Sequence, residues 1–373
     1  MLKPIRLSLL FFGLLGTSGV QAELSSWHDT NVTIIERHVV PGYRKLASAT
    51  VELDRQGRAF CMSPSAAGLK DLRQGYHRAM DAWMANQHIR FGPVEMFMRY
   101  HRYQLWPDKH NTGAKHMRRM LAEKDSQRLQ PDNFRHASVA LQGFTALERV
   151  LFRKNNKDKE LSVFGSHDKP GYDCQVVMAI SHNLATMSEE LVKEWSGKRT
   201  PFQKMFNTDE RSMINAKGED SLSTSREVAA RFLNQLHTQL EAIVDMKLGR
   251  PLDTSAAKAK PRRAESWRSR RSLQNIVLNL QASASFYVTG FSSRVSREKD
   301  GAEIDRRIRQ GFSRAIAQAK AIKQPMYEIV RDPTQRPQLE QLRQTIRELK
   351  GLMSGNLSQI LNLPQAFNSL DGD

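Results

Sequence analysis

Residues 180–195 read ISHNLATMSEELVKEW. Ile180, Leu184, Met187, Leu191 and Trp195 stand three or four apart, which is the spacing of one face of an α-helix. The same step recurs in Leu69, Leu72, Tyr76, Met80 and Trp83, and in Ala140, Phe144, Leu147 and Leu151. It returns in Val228, Phe232, Leu236, Leu240 and Ile243, with Gly249-Arg250-Pro251 as the expected stop. Leu273, Val277, Leu280, Ala284 and Tyr287 form another stripe. Ile304, Ile308, Phe312 and Ile316 follow, then Leu339, Leu342, Ile346 and Leu349. No stretch shows the two-residue alternation of a half-buried strand. The expected fold is all-α. Irregular stretches at 153–172, 196–223 and 249–264 separate the helices, and 196–223 reads as a linker between halves of about four helices each. Two packed helical bundles follow, over 23–200 and 201–373.

Composition narrows the function classes. Apolar residues make up 39% of 373, which is too many for a disordered chain. Lys and Arg number 57 against 39 Asp and Glu, a formal charge of +18. Two cysteines are too few for a Cys-based zinc module.

Residues 1–22, MLKPIRLSLLFFGLLGTSGVQA, carry Lys3 and Arg6, then a short apolar run, then Val20-Gln21-Ala22. That order predicts a cleaved signal peptide and a protein of the bacterial periplasm or cell envelope. The apolar run is too short for a stable span, so no transmembrane segment is expected in the mature chain. Export removes nucleic acid as the partner of so basic a protein, and no nucleic-acid-binding motif is present. Lipid head groups, acidic polysaccharide and small anions remain as partners; a basic surface also serves solubility alone. In an oxidising compartment Cys61 and Cys174 are candidates for a disulfide, with two separate buried thiols as the alternative.

Few constellations suggest chemistry. In 142–148, QGFTALE, Thr145 and Glu148 fall on adjacent turns of one helix face, and Glu148 flanks the apolar stripe. A buried carboxylate needs a cation, a metal or hydrogen-bond donors. Gly143 would admit another backbone. Arg99 and Arg102 are spaced to grip a carboxylate, or to face solvent. Residues 258–272, KAKPRRAESWRSRRS, hold seven basic residues and the single acid Glu265, with Ser266, Ser269 and Ser272 at the expected start of a helix, a ready place for an anion. His77 with Asp81 and His237 with Glu241 have a metal-like spacing that arises easily by chance. There is no zinc-protease motif, nucleophile elbow, P-loop or dinucleotide fingerprint.

The chain resembles the imelysin-like family, the cell-envelope proteins once grouped with M75 peptidases, in its predicted periplasmic lipoprotein branch. The matching pieces are Phe91-Gly92-Pro93-Val94, Trp106-Pro107-Asp108, Gln142 to Glu148, Lys247-Leu248-Gly249-Arg250-Pro251 and Glu265-Ser266-Trp267-Arg268-Ser269. The resemblance implies two four-helix bundles with a site between them, and links to iron acquisition or iron-regulated expression; iron or haem uptake is the expected service. The family signature is G-x-H-x-x-E; here Gly143 and Glu148 match, but Thr145 stands where histidine is expected. A hydroxyl is a poor transition-metal ligand, so the expected metal and cofactor are left unassigned. The lipid-anchor cysteine of that branch is also missing.

The first expectation is a non-catalytic binding or accessory protein holding a polar or anionic ligand between the bundles, with Gln142, Thr145, Glu148, Arg268 and Ser269 lining the site. The alternatives are an M75-type metallopeptidase, with Glu148 and a histidine such as His101 or His136 on a metal, and a protein that binds envelope polyanions through its basic surface.

Overall fold

The computed structural model describes residues 27–153, 161–166, 169–196, 213–214, 220–221, 224–355 and 357–363. The expected signal peptide, most of the expected linker and the boundary at 200 lie outside them. Among the described residues the only strand pairing is a two-residue antiparallel ladder, Met213–Ile214 with Asp220–Ser221, besides a bridge between Gly165 and Pro170. No described helix is long and apolar enough to cross a membrane.

The chain is two packed helical bundles. The first contains α1 (Val40–Met62), α2 (Ala66–Met84), the short α3 (Arg99–Tyr103), α4 (Thr112–Glu123), α5 (Gly143–Leu151) and α6 (Tyr172–Ser196). The second contains α7 (Ser225–Glu241), α8 (Ser272–Tyr287), α9 (Gly301–Ala321) and α10 (Arg336–Gly355). Helix α1 packs on α2 and α6, and α5 packs on α6. Helix α9 lies against α8 and α10, with α7 against α10. The apolar stripes explain this order. All five stripe residues of α6 are buried, as are all four of α10.

Local signals set the ends. Ser65 caps α2 by accepting from the Gly68 N–H, and Thr224 with Glu227 forms a capping box at α7. Helix α5 starts later than its stripe suggested, at Gly143, so Ala140 lies in the preceding turn. Gly143 has φ +74°, and a Cβ there would meet the carbonyl oxygens of Arg102 and Tyr103 at 2.1 and 2.2 Å. Only glycine lets α5 begin against that backbone. The stop at Gly249-Arg250-Pro251 is displaced. After α7 the chain continues through a π-helical stretch, Ala242–Gly249, and a last turn to Leu252, before Asp253 takes φ +54°. The widened turn accommodates a proline that an ordinary helix interior would reject.

A disulfide joins Cys61, at the end of α1, to Cys174, at the start of α6, with Cα atoms 5.5 Å apart.

The bundles meet where α8 crosses α2. Asn279 of α8 donates to the Met84 carbonyl at 2.8 Å. Beside it the Nε2 atoms of His38 and His88 lie 3.0 Å apart, and Phe286 of α8 packs edge-on against both rings. Burial, with Lys45 adding to it, lowers the His38 pKa from 6.5 to about 4, and burial holds His88 well below its ordinary value. The folded state resists a proton that the unfolded chain accepts at 6.5. The pair's contribution to stability is therefore complete above pH 6.5 and lost as pH falls toward 4. The difference in unfolding free energy between the parent and His38→Gln is expected to shrink over that window. Buried carboxyls that titrate nearby are common to both proteins and cancel. Parallel curves in denaturant titrations across the window would show that the pair does not titrate with folding.

Candidate functional site

Helix α5 buries Phe144, Leu147 and Leu151 and turns Thr145, Glu148 and Arg149 toward the second bundle. Facing it is the segment before α8. Ser266 and Arg270 take left-handed conformations, φ 49° and 59°, and fold residues 266–271 into tight turns. Helix α8 begins only at Ser272. Ser266 and Ser269 therefore lie in the turns and not in a helical first turn as expected. The turns are tied internally, with Ser272 Oγ donating to the Glu265 carbonyl and Asn275 Nδ2 donating to Ser266 Oγ.

Glu148 is 3% exposed. Its Oε1 accepts from the backbone N–H of Ser269 at 2.9 Å and from the Ser269 hydroxyl at 2.6 Å. These contacts join residues 121 positions apart and latch one bundle to the other. Burial raises the Glu148 pKa, opposed by the Ser269 bonds and by Arg268 and Arg149. Arg271 adds a second latch, reaching Asp81 and the His77 ring of α2. The His77–Asp81 spacing thus serves an arginine.

Between the latched surfaces opens a cleft of about 600 Å³, lined by Thr145 and Glu148 of the first bundle and Arg268 of the second. Lys109, Arg250, Arg262, Arg263 and Arg268 line it and have no acidic hydrogen-bond or ion-pair partner among the described residues. Two further arginines at its wall are matched: Arg149 with Asp108 at 3.3 Å, and Arg153 with Asp173. Burial lowers the Arg268 pKa, and Arg149 and Arg262 push it the same way, while Glu148 opposes. Burial and Arg263 lower that of Arg250. Guanidinium groups remain charged at such shifts, whose first cause is burial and whose second is the neighbouring arginines. The Arg268 guanidinium lies 4.3 Å over the Trp267 ring, which stacks on Tyr327 at 5.2 Å.

Behind the cleft sits a second polar group. Lys247 and Glu265 are 3% and 1% exposed and form a 2.7 Å ion pair. Lys247 also donates to Gln87 Oε1 at 2.7 Å. Glu265 accepts from Gln104 at 3.1 Å and from Asn275 at 2.9 Å. Trp83 Nε1 donates to Gln104 Oε1. Burial lowers the Lys247 pKa, and Glu265 opposes that. The ammonium is 5.9 Å from the ring of Trp106, which itself lines the cleft.

The structure thus brings Thr145, Glu148, Arg268 and Ser269 together. Gln142 is not with them. Its Oε1 accepts from Arg102 at 2.8 Å and Asn183 at 2.9 Å, and its Nε2 donates to the Ala137 carbonyl, all within the first bundle. Arg99 grips a carboxylate by itself: Glu194 at 2.7 Å, with Glu190 at 3.0 Å. His237 lies 3.8 Å from Glu241. Lys247 and Glu265 were missed as an interacting pair. The signals were a lysine inside the apolar run Ala242-Ile243-Val244 to Leu248, and one acid in a strongly basic segment.

The donor set does not suit a catalytic metal. No group of three or more His, Cys, Asp or Glu among the described residues could hold one. His101 and His136 are exposed and do not line the cleft with Glu148. Thr145 occupies the histidine position of the signature, and Glu148 Oε1 is committed to Ser269.

Comparison with known proteins places this architecture. A family model described as imelysin, of the peptidase M75 group, matches residues 39–353. A protein of Synechococcus elongatus described as iron-regulated protein A is 23% identical over 273 residues, covering 70% of this chain and 67% of its own. The crystal structure of an imelysin-like protein from Psychrobacter arcticum superposes with a TM-score of 0.73 at 14% identity, over 92% of this chain and 98% of that one. A crystal structure from Parabacteroides distasonis, described as an iron-regulated protein A precursor, gives 0.70 at 14% identity, over 89% and 95%.

Proposed function

The chain belongs to the imelysin family, and from that premise we propose that it is an exported binding or accessory protein, without catalytic activity of its own, that holds an anionic ligand in the inter-bundle cleft and serves iron uptake in the bacterial envelope. The observation that carries this is the set of five cations that have no acidic partner among the described residues, gathered around one cleft of about 600 Å³. Like charges are gathered there at a cost in repulsion, and an anion offsets it. Arginine suits the task because its planar fork matches carboxylate and phosphate oxygens two at a time. The volume lies within the range of small-molecule sites.

Glu148 is a positioning residue in this reading. It holds Ser269, and through it the turn that carries Trp267 and Arg268 over the cleft. The iron link comes from the descriptions of the relatives. The envelope location comes from residues 1–22, whose charged, apolar and small residues follow the order of an export signal.

Calorimetric titration with citrate and with pyrophosphate at low salt tests the site. One-to-one saturable binding is expected, weakened at least tenfold in Arg268→Ala. Binding is also expected to be lost in Glu148→Ala while the helical circular-dichroism signal is kept. A different result would move the site: binding of long acidic polysaccharide that fades with salt and ignores Glu148→Ala places the interaction on the outer basic surface.

A further inference from the structure

We propose that the cleft takes iron(III) only as a preformed anionic chelate, a ferric polycarboxylate of the citrate type, and rejects the bare ion. This rests on the reading of the cleft as an anion site in iron uptake, and goes beyond it by naming the form of the cargo.

The argument begins with what the walls offer a metal ion. A bare ferric ion needs several hard anionic donors. The cleft has two carboxylates, Asp108 and Glu148, and both are engaged. Glu148 Oε1 accepts twice from Ser269. Asp108 accepts from the backbone N–H groups of Thr112 at 2.7 Å and Gly113 at 3.0 Å, and pairs with Arg149. Around them stand five unmatched cations, which repel a trivalent cation. Iron can enter this field only inside a complex whose own ligands have reversed its charge.

The walls also distinguish between kinds of chelate. Outward carboxylate oxygens of a ferric polycarboxylate present several anionic forks in one rigid body. Arg262, Arg263 and Arg268 can meet these without ordering a flexible ligand, which free citrate would require. A catecholate spends its oxygens on the metal and turns ring edges outward, with no free carboxylate forks for these arginines to meet. Of the three aromatic rings that line the cleft, Trp106, Phe152 and Trp267, the last is stacked on Tyr327 and covered by Arg268. The arrangement therefore favours carboxylate over catecholate.

The test uses the purified protein and follows tryptophan fluorescence and calorimetry with four probes: ferric citrate in excess citrate, citrate alone, a ferric catecholate, and a cationic ferric trihydroxamate. Ferric citrate is expected to bind at least tenfold more tightly than citrate. The ferric catecholate should bind more weakly, and the cationic complex should not bind. The double variant Arg262→Ala/Arg263→Ala alters exposed residues and should keep the fold; it is expected to lose at least tenfold in affinity for ferric citrate. Equal affinity for citrate and ferric citrate overturns the proposal but leaves the anion site standing. So does tighter binding of the catecholate. Binding of the cationic complex that survives the double variant overturns it as well. If neither citrate nor ferric citrate binds, the reading of the cleft itself fails.

Discussion

Glu265→Ala is expected to lower the unfolding free energy by about 3–5 kcal/mol, the range for removing one partner of a buried ion pair. The size follows from what would remain. Lys247, 3% exposed, would lose its counter-charge and be left with only Gln87 Oε1 and the Met84 sulfur as close partners. Gln104 and Asn275 would lose the acceptor they share. The ion pair joins the π-helical stretch after α7 to the turns before α8, and its amide partners are Gln87 just beyond α2, Gln104 just beyond α3 and Asn275 of α8. The loss should therefore loosen the junction of the bundles first. Lys247→Met is expected to cost a similar amount by stranding the carboxylate. The double variant Lys247→Met/Glu265→Leu should recover most of the loss, because a buried pair contributes little net stability over an apolar pair of similar volume. Urea unfolding of the three variants gives the cycle. A single-variant cost under about 1 kcal/mol, the median of an exposed pair, would mean that water reaches the network.

Breaking the Cys61–Cys174 disulfide should have a comparable effect by a different route. The bond spans 113 positions. In the chain-entropy account, freeing a loop of that length in the unfolded state is worth about 4–5 kcal/mol. The folded state should change little, since α1 and α6 pack along their lengths and both cysteines are buried. Cys61→Ser/Cys174→Ser should melt roughly 10 °C below the parent, taking the first bundle as the unfolding unit. Reductant should lower the parent to the same value and leave the variant unmoved. A parent melting curve that stays put although reductant has released both thiols would show that the loop is constrained in the unfolded chain by other means.

Much of the architecture could be read along the chain because helix periodicity is a local property. The stripe from Ile180 to Trp195 needs no partner to be recognised, and its residues went inside as a set. Boundaries were less legible where they depend on remote backbone. Gly143 starts α5 because the carbonyls of Arg102 and Tyr103 lie against it, and the stripe beginning at Ala140 contains no sign of them. Pro251 reads as a stop, yet a π-helical turn carried the helix past it.

At the site, residue chemistry was visible and residue pairing was not. Glu148 showed as a carboxylate beside an apolar stripe, so it required donors. That Ser269 would supply them follows only from the way the turns at 266–271 fold. Gln142 looked equivalent to Thr145 and Glu148 by its place in the same heptapeptide. It was drawn instead to Arg102 and Asn183, because it stands at the N-cap, before the helix that aims Thr145 and Glu148 at the second bundle. What the sequence determined by itself was the helical class, the strongly basic charge and the need of certain polar groups for company, since these depend on composition and on neighbours three or four residues away. Which groups met was decided by tertiary structure alone. The contacts of Glu148 with Ser269 and the gathering of five cations on one cleft depend on how two bundles lie against each other, a geometry set by their whole packed surfaces and carried by no single segment.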